Sequence, residues 1–289
     1  MKREEIPYYA VNEPFELYYR NSVAADPVSA HTHNAAELYL TLTNLPDVLL
    51  NDTVSEVRKG TLILIPPFCV HQLYHGIDQV YERYILNIDI RWLEKVFDCM
   101  EDSVDYLKWT DRPLTLALDE PQLSKLTTAL NRFLPMQGER SIKAVAEFMA
   151  LLSVLDGVVQ EASKNFASDH TVVSGTQKTV NEIISYINEH LMENLTLGQI
   201  ASHFFMNKDY LSRLFMKHTH TSIGHYSSIQ RIAKAQELLR EGKTVGEVQE
   251  IMGYSSYAYF FKTFQKMTGI SPSRYRIQYM TESKEKNIS

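Results

Sequence analysis

At 289 residues, 44% hydrophobic and 22% charged, the chain has the make-up of a folded globular protein and is long enough for two domains. Neither a secretory signal nor a membrane span is expected: Met1-Lys2-Arg3-Glu4-Glu5 leads into no apolar run, and the richest apolar stretch, Ala144 to Val159, carries Glu147 and Asp156. The formal net charge of −6 argues against nucleic acid only when taken whole, because from Thr176 onward 14 basic residues meet 10 acidic ones, while the remainder holds 15 against 25. A mildly basic unit joined to an acidic one suits a DNA-binding module attached to a unit of another kind. Cys69 and Cys99, the only cysteines, read as reduced residues of a cytoplasmic chain rather than as a disulfide.

The residues up to about Leu118 read as strands. Glu37-Leu38-Tyr39-Leu40-Thr41-Leu42 alternates with period two, Thr61 to Ile65 is a short apolar run stopped by Pro66-Pro67, and Val80 to Ile88 is rich in β-formers. Asn51-Asp52 and Lys59-Gly60 are turn signals between them, so the pattern predicts a small antiparallel barrel or sandwich. Two amphipathic helices should follow between Asp119 and Ser163. One carries Leu123, Leu126, Leu130 and Phe133, and the other Val145, Phe148, Leu152 and Leu155. Their stripes must be buried on the barrel, on each other, or on a second subunit. The polar stretch Lys164 to Gln177 has no periodicity and reads as a linker.

From Lys178 to about Met280 the pattern is helical and contains a repeat. Ile200 to Asn207 corresponds to Val248 to Ser255, and Tyr210 to Phe215 corresponds to Tyr259 to Phe264. Each copy opens with a capping box, Thr196-x-x-Gln199 and Thr244-x-x-Glu247, in which side chain and backbone at the helix start satisfy each other's hydrogen bonds. A turn and a polar cap follow, Asn207 in one copy and Ser255-Ser256 in the other, starting a second helix. Helix, tight turn and second capped helix with exposed basic residues is the helix-turn-helix layout. Two copies can reach successive major grooves on one face of DNA, about 34 Å apart.

At these residues the C-terminal third resembles the AraC/XylS family of bacterial regulators. The resemblance is strongest over Met252-Gly253-Tyr254-Ser255-Ser256-Tyr257-Ala258-Tyr259-Phe260 and Phe264 to Arg276, with a linker helix recognisable in Arg231 to Leu239. Departures are Gln249, where the family usually has Ala, and Phe205 and His220, where Gly is common. The resemblance implies a first recognition helix from about Lys208 to Lys217, started by Asn207, with Asp209, Ser212 and Arg213 facing bases. Arg213 can donate two hydrogen bonds to a guanine edge, or hold a phosphate instead. Tyr210, Leu211, Leu214 and Phe215 should be core. In the second unit Ala258, Phe261 and Lys262 take the outward positions, and Ser255 and Ser256 sit near phosphates; Phe261 either meets a thymine methyl or packs internally.

The N-terminal half resembles the cupin-type sensor of the same family. His31-Thr32-His33-Asn34-Ala35-Ala36-Glu37 matches the pattern H-x-H-x-x-x-E, and Gly60, Pro66 and His71 follow a second motif, with Phe68 where Gly is usual and His75 where Asn is usual. Residues 31, 33 and 37 share one face of a strand, as do Glu37, Tyr39 and Thr41. With His71 they form either a 3-His-1-carboxylate metal shell or a set of hydrogen-bonding groups for a sugar-like effector. The second reading is preferred, so no cofactor and no resident metal are expected. Tyr8, Tyr9, Tyr18, Tyr19, Tyr74, Tyr81 and Tyr84 can supply flat faces for stacking, or simply core.

The fold expected is therefore α+β in two domains. Residues 1–165 form a cupin-like sensor and dimerisation domain (antiparallel β-barrel to about 118, helices 119–163), 164–177 a linker, 178–280 an all-α double helix-turn-helix, and 281–289 a tail. The function expected is a cytoplasmic transcription regulator, and the family resemblance implies an activator acting through RNA polymerase. It would bind double-stranded DNA as a homodimer, respond to a small effector such as a sugar, touch no membrane and have no catalytic residues. The alternative is a metal-dependent cupin enzyme fused to a DNA-binding module.

Overall fold

The computed structural model describes residues 8–9, 13–23, 30–74, 80–90, 92–93, 112–136, 138–139, 141–164, 171–172, 174–193 and 195–285. Cys99 and His75 lie outside these, as do the side chains of Tyr8 and Tyr9. The N-terminal part is built from strands β1 (Tyr8–Tyr9), β2 (Phe15–Val23), β3 (Thr32–His33), β4 (Ala35–Thr41), β5 (Leu45–Leu50), β6 (Thr53–Val57), β7 (Thr61–Ile65), β8 (His71–Tyr74), β9 (Val80–Asp89) and β10 (Leu114–Ala117). Helices α1 (Glu120–Phe133) and α2 (Ile142–Lys164) follow, then a short strand β11 (Thr171–Val172). The remainder is helical: α3 (Gly175–Glu189), α4 (Leu197–His203), α5 (Lys208–Thr219), α6 (Ile223–Arg240), α7 (Val245–Ile251), α8 (Tyr257–Thr268) and α9 (Pro272–Glu285).

The described strands form two larger antiparallel sheets, in the orders β10-β7-β4-β9-β2 and β11-β6-β5-β8, and a small parallel pair of β1 with β3. Among the described residues this is two sheets facing each other, not a closed ring. The chain changes sheet at Pro66-Pro67-Phe68, where two prolines supply no N–H to a ladder and Phe68 takes the left-handed φ of 63°. The expected turns are both present. Asn51 sits at φ 52° in the two-residue connection between Leu50 and Thr53, and Gly60 at φ 80° before β7. A two-residue hairpin matching the strand twist needs such conformations.

The apolar strands β4 and β7 are buried on both faces because each face meets a different layer. Leu38, Leu40, Leu62, Leu64, Leu86 and Ile88 pack on α1 and α2, while Tyr39, Ile63 and Ile65 face Leu45, Val48, Val57 and Leu73 of the second sheet. Helix α1 starts at Asp119 with a capping box to Gln122 and buries Leu126, Leu130 and Phe133, as its spacing predicts. In α2 the buried stripe is Ala144, Phe148, Leu151, Leu152, Leu155, Val158 and Ala162, whereas Val145 is 41% exposed. Phe148, Leu152 and Leu155 are thus buried as their spacing predicts, and Ala144 rather than Val145 takes the position one turn before Phe148. No helix among the described residues is long and apolar enough to cross a membrane.

The second sheet is also covered on its outer face. Leu49, Val54 and Val70 belong to the same core as Val180, Ile183 and Ile184 of α3, Phe215 of α5 and Tyr226 of α6. Asn181 of α3 accepts from Val54 N at 2.7 Å and donates to Val54 O at 3.1 Å, continuing the ladder of β6 with a side chain. The Asn51 carbonyl accepts from Tyr226 Oη and Gln230 Nε2, both at 3.0 Å. Asp47 on β5 meets His218 Nδ1 at 3.2 Å and His220 Nε2 at 3.3 Å, and Tyr74 stacks on the His220 ring with centroids 3.4 Å apart. Helix α9 continues through Glu285.

Replacing Asp47 with Ala removes the shared acceptor of these two imidazoles and of the Gln177 amide at 3.3 Å. The expected result is a loss of ~1–3 kcal/mol in thermal or urea unfolding. The exposed Asp52→Ala exchange on the neighbouring turn should stay near wild type. Equal stability of the two variants would mean that the clasp contributes nothing.

Candidate functional site

The helical unit repeats itself in geometry as well as in sequence. Thr196 and Thr244 each accept from the backbone N–H three residues on, and Gln199 and Glu247 each accept from the cap residue's N–H, completing both boxes. The turns that follow place Phe205 at φ 53° and Gly253 at φ 64°. At Gly253 the glycine is required, since a Cβ would stand 2.5 Å from the Met192 carbonyl oxygen. At Phe205 the same backbone is adopted with the ring pointing away, 98% exposed; a left-handed non-glycine residue there costs ~1 kcal/mol. Both second helices end in left-handed caps, His220 at φ 50° and Gly269 at φ 78°. Gln249 donates its amide to the Tyr254 carbonyl, so this polar departure is satisfied within the turn.

Helix α5 is capped by Asn207, whose side chain accepts from Asp209 N at 2.8 Å. Leu211, Leu214, Phe215 and His218 are buried, while Lys208, Asp209, Arg213 and Lys217 are exposed and Ser212 is half-buried. Tyr210 departs from expectation. It is 49% exposed rather than core, because it stands three and seven residues before Arg213 and Lys217 and so shares their face. In the second unit Ser256 caps α8, accepting from Tyr259 N. Ser255, Ser256, Ala258 and Lys262 are exposed, Phe261 is half-buried, and Phe260 and Phe264 supply the buried stripe. Tyr257 and Tyr259, 49% and 61% exposed, flank that outward face and were not picked out by spacing. Arg231 of α6 ties the second unit in place, donating to the carbonyls of Leu191 and Met252 with its guanidinium 4.6 Å from the Tyr254 ring centre.

Between the two sheets the structure brings His31, His33, Glu37 and His71 together. The chain from β3 into β4 carries the first three, and a bridge between His31 and His71 backbones at 3.0 Å aligns the fourth. His33 Nδ1 lies 2.9 Å from the Ala35 carbonyl and His71 Nδ1 3.0 Å from the Cys69 carbonyl. A carbonyl only accepts, so both Nδ1 atoms carry protons and both Nε2 atoms turn toward Glu37, at 2.8 Å and 3.6 Å. Burial by itself pushes the Glu37 pKa up, but the neighbouring imidazoles of His33 and His71 outweigh it and hold the carboxyl well below the usual carboxylate range. One ligand nitrogen from each of His31, His33 and His71 lies within 4.8 Å of the others. Tyr39, on the same face of β4 as Glu37, is buried with its phenol pKa raised by desolvation.

The loop after β7 links this cluster to the helical unit. Phe68 N donates to the His33 carbonyl at 2.7 Å, and the Phe68 ring lies beneath the Arg240 guanidinium of α6, 3.6 Å from the ring centre. Arg240 in turn donates to Tyr275 Oη of α9 at 2.7 Å. Of the other tyrosines singled out by sequence, Tyr81 faces the space between the sheets, Tyr84 packs toward α1, Tyr74 holds His220, and Tyr18 and Tyr19 sit on the edge strand β2.

Lowering the pH should expose the Glu37 pairing. A carboxyl whose folded-state pKa is depressed contributes stability above its unfolded value of about 4.5 and loses it as pH falls toward the folded value. Wild type is therefore expected to lose stability more steeply than Glu37→Gln below about pH 4.5. Parallel melting-temperature curves for the two proteins in that window would refute the pairing.

Residues 200–278 match the family model of a helix-turn-helix domain. The regulatory protein PocR of Salmonella typhimurium is 30% identical over 100 residues, covering 34% of this chain and 33% of PocR. The arabinose operon regulatory protein of Escherichia coli is 32% identical over 99 residues, 34% of each chain. An uncharacterized HTH-type transcriptional regulator of Bacillus subtilis, YfiF, is 23% identical over 256 residues, 86% of this chain and 79% of its own. The chain thus matches about a third of the length of the first two relatives.

Proposed function

We propose that this chain, a member of the AraC/XylS family through its C-terminal helix-turn-helix domain, is a ligand-responsive transcription regulator that reads duplex DNA with α5 and α8. The observation that carries the reading is the paired geometry of two capped helices whose apolar stripes are buried while Lys208, Arg213, Lys217 and Lys262 stand exposed. Asp209, Ser212 and Arg213 of the first unit, and Ala258, Phe261 and Lys262 of the second, are the residues we assign to base edges. Asn207, Ser255 and Ser256 sit at helix starts, where backbone N–H groups favour phosphate, and Lys208 and Lys217 add positive charge. Residues 1–165 then act as a cupin-like sensor and dimerisation domain, 178–280 as the DNA-binding domain, 164–177 as the linker and 281–289 as the tail. The output is activation, through RNA polymerase, in the cytoplasm.

The effector sits between the sheets, held by His31, His33, Glu37, Tyr39 and His71. A sugar-like molecule fits donors and acceptors beside a buried aromatic ring. Phe68 supports the coupling, because one residue touches both the His33 backbone and Arg240 of α6. A ligand that moves His33 thereby favours one placement of the helices over another. A second reading is favoured by the three converging imidazoles, whose Nδ1–H···O=C bonds at His33 and His71 are the kind that orient metal-bound histidines. His31, His33 and His71, with Glu37, would then hold a divalent transition metal as a structural or sensing ion. Metal analysis of protein purified without added metal separates the two, since stoichiometric metal belongs only to the second.

Arg213→Ala should cost ~1–3 kcal/mol of specific affinity and relax base preference at one position of the selected site, whereas Lys217→Ala should weaken all duplexes alike. Equal loss on specific and random DNA for Arg213→Ala would leave Arg213 a phosphate contact only. For the sensor, His33→Ala should abolish the melting-temperature response to a panel of neutral and acidic sugars while DNA binding persists. An unchanged response would remove His33 from the site.

A further inference from the structure

We propose that the space between the sheets contains an anion subsite at Arg83, so that the effector is a small organic anion bearing a carboxylate or phosphate. The proposal rests on the reading that the effector lies between the sheets, and it adds the chemical class.

Arg83 lies on β9 opposite Thr41 of β4 and Arg20 of β2. Along β9, Tyr84, Leu86 and Ile88 pack on the α1/α2 side, so Tyr81, Arg83, Ile85 and Asn87 turn inward, where Tyr81 and Ile85 join the inter-sheet core. The Arg83 guanidinium stands 5.8 Å from the Tyr81 ring centre, and its charge pulls against the upward shift of the buried Tyr39 phenol. Its Nε and Nη1 atoms are sealed from solvent with no hydrogen-bond partner among the described residues. The Oδ1 of Asn87, further along the same inward face, is likewise buried without a partner.

A guanidinium cannot shed its proton in response to burial as a lysine or histidine can. Buried N–H groups with a full charge and no acceptor are therefore a standing cost unless a partner arrives. Among the described residues the carboxylates nearby do not answer this need. Glu37 is engaged by His33 and His71, Glu16 accepts from Tyr18 Oη at 3.0 Å, and Glu82 accepts from Tyr19 Oη at 2.8 Å. Arg20, exposed on the edge strand, instead places a second positive charge directly across the ladder from Arg83. Like charges opposite one another on a sheet are unfavourable unless an anion lies between or above them. Carboxylate and phosphate oxygens both satisfy guanidinium N–H groups with charge-assisted bonds. Arg83 and Glu37 are separated by four residues of ladder, roughly 13 Å between backbones, with long side chains reaching inward from both ends. A hydroxylated acid of monosaccharide size can touch both ends.

The experiment compares full-length wild type, Arg83→Met and Arg83→Lys by thermal unfolding. Each is melted in sodium chloride, and in sodium phosphate and sodium sulfate at matched ionic strength, then with glucose 6-phosphate against glucose. Wild type should rise by several degrees in phosphate or sulfate over chloride, and Arg83→Met should show no such rise. Arg83→Lys should keep part of it. Without added anion Arg83→Met should melt at or above wild type, because two buried guanidinium nitrogens lacking a partner have been removed. The proposal is overturned if wild type is indifferent to the anions, if Arg83→Met responds as wild type does, or if Arg83→Met melts below wild type in chloride. Retention of a neutral-sugar response lost in His33→Ala would show, beside such a failure, that the effector site stands and only its anionic character is wrong.

Discussion

The structure depends on burying the β5–β6 hairpin from both sides. Its inner residues Leu45, Val48 and Val57 close the space between the sheets, and its outer residues Leu49 and Val54 complete the core of the helical unit. A two-stranded ribbon is marginal alone in water, so each face needs a partner. Here one partner is the five-stranded sheet and the other is the helix-turn-helix unit. That single arrangement turns two sequence modules into a body in which the sheet's turn at Asn51 is read directly by Tyr226 and Gln230.

The hairpin and the Pro66–Val70 loop are at once walls of the inter-sheet space and docking surfaces for α3, α5 and α6. Phe68 is the one residue standing between the His33 backbone and Arg240, so a displacement at either would meet the other there. Packed cores respond to such displacements by switching between discrete arrangements rather than by yielding continuously. The polar groups in the inter-sheet space are unevenly satisfied. At the Glu37 end His33 Nε2 lies 2.8 Å from the carboxylate, while at the Arg83 end Nε and Nη1 are buried with no hydrogen-bond partner among the described residues. Natural cores tolerate an unsatisfied charge where function needs it.

The helix-turn-helix half was legible because its signals are local. Capping boxes at Thr196 and Thr244, the cap at Asn207 and the stripe Leu211, Leu214 and Phe215 each depend on residues within one or two turns. Tyr210 and Val145 went astray for one reason. Apolar character alone does not say on which side of a stripe a flanking residue falls, and both stand one position off the buried line. The N-terminal half was legible as strands and turns, and as the gathering of His31, His33, Glu37 and His71, since residue parity along a strand and a nearby turn suffice for that.

What the sequence by itself determined is thus the element types, the repeat, the caps, and which faces of β4, α5 and α8 belong together. What only the tertiary structure decided is how the halves meet. Asp47 with His218 and His220, Asn181 on the edge of β6, and Phe68 beneath Arg240 join residues well over a hundred positions apart. The same holds for Arg83, which stands in an ordinary β-pattern and becomes unusual only when the neighbouring carboxylates among the described residues are found already engaged. The physical reason is the same throughout. Propensity, capping and periodicity are written into short windows of sequence, whereas burial and hydrogen-bond satisfaction are properties of whichever distant groups the fold brings alongside.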